Sequence, residues 1–205
     1  MIKPKHWLWL VLFGSLWGLV EVGAGEILYE YRVPHASVYL SIWAYFMLAM
    51  ARGVINRPGS STIVGSFATL FKLVNASPNF CHLVAIFIIG LTFDAFASIL
   101  MRKERHTLVR VGMTGFFSIF IERTAFALIA AYIVRYERWI RGGIPMILRH
   151  IFVSGSLTAL AAIALVPLGY WIGVHAISQM ERRPRLAYSG IIAALVLCWT
   201  LIRIA

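Results

Sequence analysis

The stretch Gly14–Tyr31, GSLWGLVEVGAGEILYEY, decides how this chain is read. It continues an apolar run that begins at Trp7 and is too apolar to stay in water. Yet Glu21 and Glu26 lie within it, and Glu30 lies at its edge. A spanning helix needs roughly 20 mostly apolar residues, and Trp7 to about Leu28 supplies them. On a helical wheel at about 100° per residue, Gly14, Gly18, Glu21 and Gly25 fall within roughly 60° of one another. A stripe of small residues lets another helix approach closely. Glu21 sits inside that stripe, so it points at a neighbouring helix or a cavity rather than at lipid. Glu26 is turned away from the stripe and lies near the surface.

The rest of the chain repeats the pattern. It has 205 residues, 60% of them hydrophobic and only 13% charged, with a formal net charge of +11. Such a composition excludes disorder and an ordinary soluble domain. Further apolar runs cover about Ala36–Val54, Ser60–Val74, Phe80–Met101, Val111–Val134, Ile147–Ile177 and Leu186–Ile204. They are broken by "NRPG" at Asn56–Gly59 and "NASPN" at Asn75–Asn79. The expected fold is all-α: one transmembrane domain over residues 1–205, a bundle of six or seven helices. The short third run and the last run are the ones in question. The sixth run is long enough to be broken or partly interfacial.

Lys and Arg bias loops to the cytoplasmic side. With the N-terminus cytoplasmic, eleven fall inside, from Lys3 and Lys5 to Arg182, Arg183 and Arg185, against seven outside. The expected location is therefore the cell membrane, multi-pass, N-terminus in. The loop "RYERWIRGG" at Arg135–Gly143 runs against the bias; it is either an interfacial amphipathic piece or a sign that the helix count is off by one. The basic residues touch lipid headgroups. A nucleic-acid face needs a soluble basic domain, and none is visible.

Charges inside spanning helices are costly and usually face the bundle interior. Glu21 lies roughly 20 Å from the inner start of its helix, and Lys72 lies at a similar height on the third run. They form a candidate pair, either a packing device or part of a polar pocket opening outward, unless Lys72 snorkels to the surface instead. Asp94 and Arg123 form a second candidate pair, with an estimated height difference of about 7 Å. Glu122 and Arg123 are sequence neighbours and point about 100° apart, which disfavours their pairing. Trp17 and Trp43 are deeper than the other tryptophans, where they either fill the core or stack on a flat ligand.

Cys81 and Cys198 lie in separate apolar runs with no ligand spacing around them, which gives neither a disulfide nor a metal site. HExxH, GxSxG and GxxxxGK[ST] are absent, so no enzyme and no cofactor is expected.

"GSLWGLVE" at Gly14–Glu21, "VPHASV" at Val33–Val38, "RPGSSTIVGSFATLFKLV" at Arg57–Val74 and "IGLTFDAF" at Ile89–Phe96 resemble a family. It is that of the substrate-binding S components of energy-coupling factor (ECF) uptake transporters. The resemblance covers roughly residues 10–100. It implies a binder of a small molecule such as a vitamin, docked on a transmembrane coupling protein driven by cytoplasmic ATPases. It also implies that Gly14 and Gly18 belong to the docking face, and that Glu21, Lys72, Trp17 and His35 are pocket candidates. "MIKPKHW" at the N-terminus does not match the histidine-bearing start of the metal-specific members, which argues against cobalt or nickel. The alternative is a helical membrane scaffold or assembly protein with no ligand of its own.

Overall fold

The computed structural model describes residues 4–75, 80–101, 107–182 and 184–204. Lys3, Arg102, Lys103, Arg105 and Arg183, which contribute to the charge bias, lie outside them, as do residues 76–79 of the "NASPN" break. The described residues are helical with short connections and no strand.

The helices are α1 (Pro4–Glu30), α2 (Ala36–Val54), α3 (Ser60–Asn75), α4 (Phe80–Leu100), α5 (Leu108–Leu128), α6 (Glu137–Leu148), α7 (Gly155–Arg182) and α8 (Pro184–Ile204). Among the described residues six helices are long and apolar enough to cross a membrane, and α3, at 16 residues, is a shorter apolar one. At 1.5 Å per residue it is about 24 Å long, short of a roughly 30 Å hydrocarbon layer.

Two wide, π-helical turns interrupt the second half. One covers Ile129–Ile133, where Val134 N–H reaches back five residues to the Ile129 carbonyl at 2.8 Å. The other covers Arg149–Ser154 and joins α6 to α7. A non-helical backbone at Gly143 (φ 56°, ψ −156°), just before Pro145, kinks α6. The long sixth run is thus one helical rod, Glu137–Ser178, bent near its start, and "RYERWIRGG" leads into its amphipathic first turns.

Six helices close into a ring in the order α1, α3, α4, α5, α7, α2, with α8 appended outside α1. Small residues set the closest approaches. A Cβ on Gly14 would come within 2.5 Å of Phe67 Cβ, and one on Gly18 within 2.6 Å of Phe71 Cβ. A Cβ on Gly65 would sit 3.0 Å from Gly90 Cα where α3 crosses α4. Gly53 and Gly173 bring α2 and α7 into backbone contact.

This corrects one expectation. The stripe of α1 is a close-packing face, but its partner is the protein's own α3, so Gly14 and Gly18 do not present a docking surface. α3 takes the place because Phe67 and Phe71 fit over glycine where they would clash with any larger residue. α8 is held through Trp199, whose indole donates to Ser15 Oγ at 3.2 Å and meets Phe71 edge-on at 4.8 Å.

The outward surface is apolar. Ile99, Val109, Ile133 and Leu160 are each more than two-thirds exposed, far more apolar surface than a water-soluble monomer tolerates.

Candidate functional site

Among the described residues three clusters of buried charge lie between the helices, and they differ in how fully their hydrogen bonds are satisfied.

The first joins α2, α3 and α4. Arg52 is 1% exposed, and its Nη2 meets Asp94 Oδ1 at 2.9 Å. The same nitrogen donates to the Asp94 carbonyl and to Ser98 Oγ, each at 3.1 Å. Its Nε donates to Ser61 Oγ at 3.0 Å and its Nη1 to Asn56 Oδ1 at 3.3 Å. Asp94 also accepts the backbone N–H groups of Gly59 (2.8 Å) and Ser61 (2.9 Å). A carboxylate at a helix N-terminus satisfies orphan donors and favours the helix dipole. Asp94 therefore caps α3 from a neighbouring helix while neutralising Arg52. The cluster is saturated.

Asp94 was expected to meet Arg123; it meets Arg52 instead. The two point to different neighbours, Asp94 to Arg52 and the start of α3, Arg123 to Ser41 and Thr158. Arg52 was not among the candidate buried charges, although its position inside the second apolar run, Ala36–Val54, is a signal for one.

The second cluster joins α1 and α3. Lys72 Nζ lies 3.3 Å from Glu21 Oε2 and 3.2 Å from the Glu21 carbonyl. The Trp17 indole donates to Glu21 Oε1 at 3.3 Å. Glu21 and Lys72 are each 7% exposed and Trp17 is fully buried. The structure thus brings Trp17, Glu21 and Lys72 together. It leaves His35 apart from them: exposed, with φ 59°, in the turn that starts α2. Glu26 is exposed.

The third cluster joins α2, α5, α7 and the wide turn after α6. Arg123, 3% exposed, sends Nη2 to Ser41 Oγ (2.8 Å), Thr158 Oγ1 (3.3 Å) and the Ser37 carbonyl (3.4 Å). Its Nη1 lies 3.5 Å from His150 Nε2. Its Nε lies 3.5 Å from Glu122 Oε2. The two neighbours therefore do pair, against expectation, because Arg123 Nε is close enough to its backbone to turn towards the adjacent carboxylate. The geometry of that pair is poor: neither Nε nor Oε2 makes a hydrogen bond. The fully buried Tyr45 hydroxyl lies beside the Ser118 and Thr92 hydroxyls. Ser118 and Thr92 spend their own hydroxyls on backbone carbonyls of their helices.

Phe126, Trp139 and His150 pack over this cluster, with Trp139 edge-on to His150 at 5.0 Å and to Phe126 at 5.5 Å. No family model, curated protein or solved structure matches the chain. The geometry and the sequence alone therefore carry the functional argument.

Nearly every buried polar group in a protein is hydrogen-bonded, and an unmatched one calls for a reason. The first cluster has no unmatched group. In the third, Arg123 Nε and Glu122 Oε2 meet only each other, at 3.5 Å and without a hydrogen bond, beside two wide helical turns of the kind found at functional sites. Chemically, a molecule able both to donate and to accept could improve on that loosely held guanidinium–carboxylate pair. The cluster's Ser41, Tyr45, His150 and Thr158 were not singled out in the sequence, since isolated hydroxyls and rings in apolar runs carry no spacing signal. Among the described residues no group of three or more His, Cys, Asp or Glu is placed to hold a metal ion.

Proposed function

We propose that the chain is a multi-pass membrane protein that binds a small polar molecule inside its helical ring. The observation that supports this most is the Glu122–Arg123 pair, buried yet held only at 3.5 Å and without a hydrogen bond between its two atoms. The transporter part of the reading rests on the sequence resemblance: a substrate-binding subunit of an ECF-type uptake system, with a vitamin-like cargo, a transmembrane coupling protein and cytoplasmic ATPases. A coupling protein would have to dock elsewhere than on Gly14 and Gly18, which α3 covers.

The test is native mass spectrometry of protein purified without added ligand. The wild type should carry a small-molecule adduct. The double variant Glu122→Leu/Arg123→Met removes both charges together, so no lone charge is left buried. It should elute as folded protein and lose the adduct. A wild type without any adduct, or a double variant that keeps it, would overturn the reading. The alternative is a membrane scaffold without a ligand, favoured by the saturated Arg52–Asp94 cluster.

The proposed membrane is the cell membrane, with the N-terminus in the cytoplasm as the loop charges favour. In intact cells, Tyr31→Cys should react with a membrane-impermeant maleimide and Thr107→Cys should not. Both positions are exposed at opposite helix ends. The reverse labelling pattern would invert the topology.

A further inference from the structure

Between the first wide turn and α6 lies an open cleft of about 380 Å3, walled by Tyr132, Trp139, Ile140, Ile144 and Ile147, with Arg135 as its charged lining. We propose that this cleft seats one anionic phospholipid, an acyl chain along the apolar wall and the phosphate at Arg135.

The charges favour this occupant. Arg135, Arg138, Arg141 and Arg149 crowd this segment against a single acid, Glu137. Glu137 is engaged by Arg141. Arg135 and Arg138 are both exposed, and arginine presents a fork suited to phosphate. The walls are apolar and open sideways: Tyr132 is 66% and Ile144 65% exposed. An amphipathic helix with arginines on its polar side and isoleucines on the other lies in the headgroup plane. A basic segment at this end also runs against the inside bias of the other loops, and a bound lipid phosphate gives those arginines a counter-charge. The inference rests on the membrane part of the reading above and not on the small-molecule part.

The protein is delipidated in detergent and titrated with phosphatidylglycerol, phosphatidylcholine or inorganic phosphate. Melting temperature and lipid adducts in native mass spectra are read. Phosphatidylglycerol should add one tightly held adduct and raise the melting temperature, with phosphatidylcholine at least tenfold weaker and phosphate without effect. Arg135→Asn should weaken phosphatidylglycerol at least tenfold with the lipid-free melting temperature unchanged. Asparagine is chosen because Arg135 has φ 54°, which asparagine tolerates. Should that variant fold poorly, Arg135→Lys, which keeps the charge and loses the fork, should weaken binding severalfold.

Equal binding of the two lipids would overturn the site as a mere acyl groove. A phosphate response as large as the lipid's would make it a free-anion site. Undiminished phosphatidylglycerol binding in the variants would place the lipid elsewhere. None of these results would alter the small-molecule adduct seen without added lipid.

Discussion

Asp94→Ala is expected to abolish recovery of folded protein, and Arg52→Met to lower its melting temperature steeply. Removing one member of a buried ion pair typically costs roughly 3–5 kcal/mol, because the other charge is left uncompensated. A whole domain has only about 5–15 kcal/mol to lose. The two variants are not equivalent. Arg52→Met leaves Asp94 still accepting from Gly59 and Ser61 N–H. Asp94→Ala leaves Arg52 without its carboxylate and also orphans the first N–H groups of α3. Its effect should therefore exceed that of Arg52→Met. Fluorescence-detected size exclusion in detergent after a temperature ramp gives both values. A melting temperature of Asp94→Ala within a few degrees of wild type would show that the cluster does not hold α2, α3 and α4 together.

That cluster also shows where the sequence stops informing. Helix existence follows from run length and apolarity, which are local, so α1, α2, α4 and α5 are placed to within a few residues by inspection. Which helices touch is not local. Asp94 and Arg123 lie on adjacent members of the ring, and height alone makes them plausible partners. Their azimuths differ: Asp94 faces the start of α3 and Arg123 faces Ser41 and Thr158. The glycine stripe of α1 was legible as a packing face. That its partner is a short helix of the same chain, not a second protein, depends on α3 folding back over it. The wide turns at Ile129–Ile133 and Arg149–Ser154 have no sequence marker of their own. They matter because the second carries His150 to Arg123.

The Glu21–Lys72 pair was legible because both residues interrupt apolar runs at similar height. The sequence left open whether they bind a ligand or pack the helices. Glu21→Gln should destabilise by roughly 3–5 kcal/mol, since the Lys72 ammonium stays buried without a carboxylate. Lys72→Met should do the same by stranding the carboxylate beside Trp17. The double variant Glu21→Leu/Lys72→Met exchanges the pair for apolar side chains of similar size and should regain most of the lost stability. Ligand retention in that folded double variant is the informative reading. Both Glu21 oxygens are engaged within the protein, one by Trp17 and one by Lys72, unlike the unmatched oxygen of Glu122. The double variant should therefore keep the small-molecule adduct that Glu122→Leu/Arg123→Met loses. A folded double variant without the adduct would move the binding site, or an essential part of it, to α1 and α3. Single variants as stable as wild type would instead mean that Glu21 and Lys72 neither pack the helices nor hold a charge apart from water.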